Sequence, residues 1–217
     1  MVNKFHTIIF DLDGTLSDSA ILSMTAFKNI LPGYGLPVPS EEEIRRVTGH
    51  ATPEFFYILF PGCKRDMIYN IGTLVEQEEL RILPPLGEKL LFEGCRELLL
   101  KARECGLRLY IASTGARDHV YSILEATGIK GFFEKISCGR PDKTEMLREL
   151  TCEKTGGGGK NGFVMVGDMK KDHEGARSNG ILSVGACYGY CKRELTDFDL
   201  YIDKPLDLLN VLKIKEG

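Results

Sequence analysis

The chain has 217 residues, 43% apolar and 27% charged, enough to fill the core of one large domain or of a domain carrying a smaller insertion. Lys plus Arg number 28 against 31 Asp plus Glu, a net charge of -3, which leaves no basic footprint for nucleic acid or an anionic membrane surface. No apolar stretch is long enough to span a bilayer, and Met1–His6 leads directly into a strand, so neither a signal peptide nor a membrane partner is expected and a cytoplasmic location is.

The first predicted strand, Ile8-Ile9-Phe10, ends in Asp11-Leu12-Asp13-Gly14-Thr15-Leu16. Alternate residues of a strand point the same way, so Asp11 and Asp13 should face one pocket. Two carboxylates so close require either a shared proton or a cation. Asp-Gly is also ordinary turn chemistry, so the rest of the chain must decide.

A helical stretch from about Asp18 to Leu31 is broken by Pro32-Gly33-Tyr34-Gly35-Leu36-Pro37. Ser40 followed by Glu43 reads as a capping box. Further helices are expected over Glu54–Phe60 and Arg65–Leu83, the last ending at Pro84-Pro85. With no convincing strand between Leu16 and Pro85, this block is too long for a crossover helix. It reads as a helical cap, residues 17–90, inserted into a core made of 1–16 and 91–217.

From Glu93 the pattern becomes helix–strand alternation, which predicts a parallel sheet. Helices are expected at Gly94–Glu104, Asp118–Ala126 and Thr144–Leu150. Strands are expected at Leu107–Ala112, near Phe133–Ser137, and at Phe163–Val166, Ile181–Val184 and Tyr201–Ile202. The fold class is α/β, a doubly wound, Rossmann-like parallel sheet, which binds ligands at the carboxyl ends of its strands. Gly156-Gly157-Gly158-Gly159-Lys160 fails as a phosphate loop: Asn161 stands where Ser or Thr should follow, and a strand, not a helix, comes next. It reads as a flexible connection.

A second acidic cluster, Gly167-Asp168-Met169-Lys170-Lys171-Asp172, also follows an apolar strand. Parallel strands would set Asp168 on the same edge as Asp11, and such carboxylates, with a backbone carbonyl and waters, form a hard-oxygen site suited to Mg²⁺. Alternatively, Asp168 and Asp172 only cap and charge the next helix. Ser113-Thr114-Gly115 brings hydroxyls and backbone N–H groups to that edge, ahead of a helix whose N-terminus suits phosphate. Lys143 is the best-placed cation, with Arg140 and Lys135 as rivals.

Cys63, Cys95, Cys105, Cys138, Cys152, Cys187 and Cys191 are scattered and form no C-x-x-C pair. Buried, reduced thiols are the expectation.

The order Asp11-Leu12-Asp13-Gly14-Thr15, Ser113, Lys143 and Gly167-Asp168…Asp172 resembles the haloacid dehalogenase-like hydrolase superfamily, and within it the phosphoglycolate-phosphatase-like branch. The segment Val166–Gly185 is particularly similar. Thr114 stands where the family often has asparagine, and Glu93-Gly94 where Pro-Gly is frequent.

The resemblance implies that Asp11 is the nucleophile and Asp13 the general acid and base. It implies that Ser113 and Lys143, with Thr114 beside them, hold the phosphoryl group. Mg²⁺ would be held by Asp11, the Asp13 carbonyl and Asp168, with Asp172 in support. Arg46, Gly49 and His50 are the candidate substrate-facing residues of the cap, although the arginines read equally as a solvated helix face. The implied partner is a small phosphate ester, and the chain a monomer or weak homodimer. A phosphosugar mutase and a non-catalytic phosphate-binding module are the alternatives.

Overall fold

The computed structural model describes residues 4–50, 54–152, 159–190 and 196–214. Six parallel strands form one sheet: β1 (Thr7–Phe10), β2 (Arg108–Ser113), β3 (Lys135–Cys138), β4 (Phe163–Gly167), β5 (Leu182–Ala186) and β6 (Leu200–Ile202), in the order β3-β2-β1-β4-β5-β6. The helices are α1 (Ala20–Ile30), α2 (Glu41–Val47), α3 (Glu54–Leu59), α4 (Arg65–Leu86), α5 (Cys95–Glu104), α6 (Arg117–Ala126), α7 (Lys143–Thr151), α8 (Lys170–Asn179) and α9 (Asp207–Val211).

The apolar strand runs are buried on both faces, as a parallel sheet requires. Ile8 and Phe10, Leu109 and Ile111, and Val164 and Val166 face one side, packed under α5, α6 and α9. Their neighbours Ile9, Tyr110, Phe163 and Met165 face the other, under α7 and α8. In β1, Phe10 pairs with Ile111 of β2 and Val166 of β4. The chain winds outward from β1 to β3, then returns to β4 and winds the other way. The reversal falls at β1, so Asp11 stands at the topological switch point, where such sheets hold ligands.

Helices α1 to α4 build a separate apolar cluster around Phe27, Ile44, Phe55, Phe56, Ile68 and Ile71. Phe27 stacks on Phe55 and meets Phe56 and Phe60 edge-on. The chain leaves and rejoins the sheet domain side by side: the Asp18 N–H donates to the Leu90 carbonyl and the Phe92 N–H to the Leu16 carbonyl, at 2.7 and 3.1 Å.

The Ser40–Glu43 capping box forms as expected. One boundary differs: α4 continues through Pro84 and Pro85 to Leu86. Proline removes helical donors, but these two lie in the last turn, where buried Leu83 anchors the segment and its carbonyl accepts from the Gly87 N–H. The connection Gly156–Gly158 lies outside the described residues; Gly159–Gly162 forms a short 3-10 turn into β4.

The thiol expectation needs correction. Of the described cysteines, all free, Cys95 alone is buried; Cys63, Cys105, Cys138 and Cys187 are half-buried and Cys152 is exposed. Cys95 faces inward from α5, whereas Cys152 follows the last turn of α7. Cys191 lies outside the described residues.

Candidate active site

Three strands deliver side chains to one edge. Asp11 follows β1 and its N–H donates to the Val166 carbonyl at 2.9 Å, locking it beside β4. Asp168 follows β4, and Ser113 ends β2. Oxygens of Asp11, Asp168 and Asp172 lie within 4.8 Å of one another, and all three residues are buried.

Lys143, the first residue of α7, projects into this group. Its Nζ lies 2.7 Å from Oδ1 of Asp11 and 2.9 Å from Oδ1 of Asp172, and donates to the Ala112 carbonyl at 2.5 Å. Gly175 makes the approach possible, because a Cβ there would stand 3.0 Å from the Lys143 Cβ. Burial opposes the ammonium charge, but Asp11 and Asp172 outweigh it and push Lys143 up to about 12. The rivals are elsewhere: Arg140 pairs with Glu149 on the surface, and Lys135 lies over the Tyr110 ring.

Asp172 caps its helix and faces the acidic cluster at the same time. Its Oδ2 accepts the Met169 N–H at 3.0 Å and caps α8, while Oδ1 faces Lys143. Gly167 leaves room for it, since a Cβ there would fall 2.2 Å from the Asp172 carboxyl carbon.

The residues present fit a divalent cation. Burial, and then the charges of Asp11 and Asp172, hold Asp168 well above the usual carboxylate range. A buried carboxylate crowded by two others calls for positive charge. Asp168 is also oriented, its Oδ1 accepting from the Thr15 hydroxyl and its Oδ2 from the Tyr190 N–H, at 3.2 and 2.8 Å. Gly14 and Gly189 press their backbones against it: a Cβ at either would stand 2.4 Å from its side chain. An all-oxygen donor set of this kind suits Mg²⁺. Burial likewise raises Asp11 to about 6 against the pull of Lys143.

Asp13 lies in a different setting. Its Oδ1 accepts from the Ser19 hydroxyl at 2.5 Å and from Nε2 of His119 at 3.0 Å. Burial favours its neutral form, but the His119 charge and these hydrogen bonds outweigh burial and lower its pKa. His119 is raised to about 9, burial being overcome by Asp13 and then by Glu79, whose Oε2 lies 3.9 Å from Nδ1.

A cavity of about 340 Å³ opens against Asp13 between the helical insertion and α6. Its wall includes apolar Leu22, Phe55, Phe56 and Leu83, the acidic Glu76 and Glu79, and His119. Gly49 and His50 line it too, whereas Arg46 is exposed on α2 and does not. The Ser113 hydroxyl, buried, accepts the Gly115 N–H at 3.1 Å. Thr114 donates to the Gly49 carbonyl at 2.6 Å, and Lys171 donates to the same carbonyl and, at 2.9 Å, to the Thr114 hydroxyl. The insertion and the sheet edge therefore meet at Gly49.

Sequence reasoning missed His119, Glu79, Ser19 and Lys171. One signal was present for His119: it opens the helix after the Ser113 strand end, one turn beyond Gly115. Glu79 and Ser19 gave none, since their meeting with this edge depends on how the insertion folds back.

A model of the family described as haloacid dehalogenase-like hydrolase matches residues 8–186. The chain belongs to that family.

Phosphoglycolate phosphatase of Synechococcus elongatus is 26% identical over 95% of this chain and 97% of its own. Pyrophosphatase PpaX of Bacillus pumilus is 29% identical over 97% of each. Tyrosine-protein kinase PtkA of Mycobacterium tuberculosis is 28% identical over 88% of this chain, which spans 65% of that protein's length. Among solved structures, a protein of Haemophilus somnus 129pt described as a "predicted phosphoglycolate phosphatase" aligns with TM-score 0.81 at 22% identity, covering 97% of this chain and 99% of the other. β-Phosphoglucomutase of Clostridium difficile shares the fold with TM-score 0.75 at 16% identity, covering 94% and 93%.

Proposed function

We propose that this protein is a Mg²⁺-dependent phosphatase that hydrolyses phosphate monoesters of small alcohols, the class containing 2-phosphoglycolate, through an aspartyl-phosphate on Asp11. The observation that carries the reading is the division of the two aspartates that follow β1. Asp11 lies among Lys143, Asp168 and Asp172, whereas Asp13 lines a cavity with room for a leaving group.

In the first step an Asp11 oxygen attacks phosphorus, the P–O bond to the alcohol breaks, and Asp13, in the fraction of molecules where it is protonated and by its lowered pKa a stronger acid, gives its proton to the departing oxygen. In the second, Asp13 takes a proton from the water that attacks the acyl-phosphate, and phosphate leaves. Lys143 and Ser113 hold the equatorial oxygens, with Thr114 beside them, where fixed charge and donors need no reorganisation. Asp11, the Asp13 carbonyl and Asp168, supported by Asp172, would hold Mg²⁺, which supplies charge neutralisation to the phosphoryl oxygens when bound.

Residues 1–16 and 91–217 form the catalytic core in this reading, and 17–90 the cap. The paired connections at Asp18–Leu90 and Leu16–Phe92 support a two-stranded hinge there. Gly49 and His50 are the cap's substrate-facing residues, and Arg46, being exposed, is left out of that role.

The test is phosphate release from p-nitrophenyl phosphate with Mg²⁺ and with chelator, followed by a panel of 2-phosphoglycolate, pyrophosphate, phosphotyrosine and hexose 1-phosphates. Metal-dependent phosphate release is expected. An isomerised sugar phosphate in place of free phosphate would point to a mutase, and no turnover with any divalent metal would leave only a binding module.

A further inference from the structure

We propose that His119 is a positioning residue that fixes which oxygen of Asp13 carries the catalytic proton, an assignment that rests on the phosphatase reading above. Both donors that reach Asp13, the Ser19 hydroxyl and Nε2 of His119, converge on Oδ1, at 2.5 and 3.0 Å. Among the described residues, no hydrogen bond reaches Oδ2. With Oδ1 engaged by two donors, only Oδ2 is free to take up and deliver a proton, because a proton arriving on Oδ1 would have to displace one of those donors. The acid proton is thereby assigned to Oδ2, from which it passes to the ester oxygen as the P–O bond breaks and its electron pair stays with that oxygen.

The imidazole is itself braced from the cap. Glu79 of α4 lies 3.9 Å from Nδ1, and its other oxygen accepts the Ser23 hydroxyl of α1 at 2.6 Å. Nε2 donates to a carboxylate oxygen of the core, and the Glu79 carboxylate of the cap lies on the other side of the ring as an opposite charge within 3.9 Å of Nδ1. The brace therefore exists only while the cap is seated on the core, so closure and the aim of the acid are coupled through His119. Ser19, on the hinge segment just before α1, adds a second link of the same sense.

The test exploits leaving groups. p-Nitrophenolate departs without a proton, whereas an alkoxide does not, so in formation of the aspartyl-phosphate, which kcat/KM reports, a misaimed Asp13 penalises alkyl esters alone, while any loss in the later hydrolysis is common to both esters. In His119→Ala, kcat/KM for ethyl phosphate should fall about 30-fold or more, while kcat/KM for p-nitrophenyl phosphate should fall less than about threefold. His119→Gln, whose amide nitrogen can replace the Nε2 donor, should recover part of the loss, and Glu79→Gln should lower the alkyl rate in the same sense, by a smaller factor. Because both esters are measured on one preparation, a partly unfolded variant lowers both rates and leaves their ratio unchanged. An unchanged ratio in His119→Ala overturns the assignment alone. A wild-type protein that hydrolyses neither ester overturns the phosphatase reading and this assignment with it.

Discussion

Lys143 Nζ lies 2.7 Å from Oδ1 of Asp11, and both side chains are almost wholly closed to solvent. An ammonium group is ordinarily kept in water, and burying it is favourable only where fixed carboxylates offset the lost hydration. Here Asp11 and Asp172 do so together, which makes Lys143 as much a structural residue as a functional one.

Lys143→Met should therefore leave two buried carboxylates without their partner. Unfolding in urea with chelator present should show a loss of about 3–5 kcal/mol, the usual cost of breaking a buried pair. Mg²⁺ should recover part of it by supplying positive charge to the same carboxylates. Phosphatase activity should fall at least about 100-fold. Unchanged stability would mean that the carboxylates are held by other means.

Gly14 predicts a steric outcome. Its φ is +81°, in the left-handed region, and a Cβ there would stand 2.4 Å from Oδ2 of Asp168. Gly14→Ala combines backbone strain of about 1 kcal/mol with displacement of a candidate metal ligand. The Mg²⁺ concentration for half-maximal activity should rise at least about tenfold, more than for an alanine at exposed Gly33, where nothing lies within 4 Å. Equal metal requirements would show that Asp168 can shift without consequence.

Cysteine reactivity should follow burial. Burial pushes the Cys95 thiol up to about 12, so it stays protonated and inert at neutral pH. A thiol reagent at pH 8 should label exposed Cys152 within minutes and Cys95 only on unfolding, as read by peptide mass spectrometry. A folded pKa above the unfolded one means the native state binds more protons in that window. Stability from this site is therefore full below about pH 8.5 and declines as pH rises toward 12. Cys95→Ala should flatten that decline in alkaline denaturation curves.

The parallel sheet was legible in the chain because its strands are buried on both faces and read as unbroken apolar runs, such as Ile8-Ile9-Phe10 and Phe163–Val166. The strand-end residues followed from it, since Asp11, Ser113 and Asp168 lie one or two positions beyond those runs. Ser40 and Glu43 announced a helix start by local hydrogen bonding alone. The His119–Glu79 contact was illegible for a physical reason. It joins two helices from different layers, and no periodicity records how α4 lies across α6. The end of α4 was misread for a related reason: local proline chemistry argued for a stop, but packing of Leu83 carried the helix one turn further.

In the mechanism proposed above, every phosphoryl group passes through Asp11. The most direct test is to quench the protein in acid during turnover of p-nitrophenyl phosphate with Mg²⁺ and to map covalent phosphoryl by mass spectrometry. A phosphoryl group on Asp11 is expected in the wild type. None is expected in Asp11→Asn, which should fold yet release no phosphate. Phosphate release by Asp11→Asn near the wild-type rate, or a phosphoryl group on another residue, would rule out Asp11 as the nucleophile.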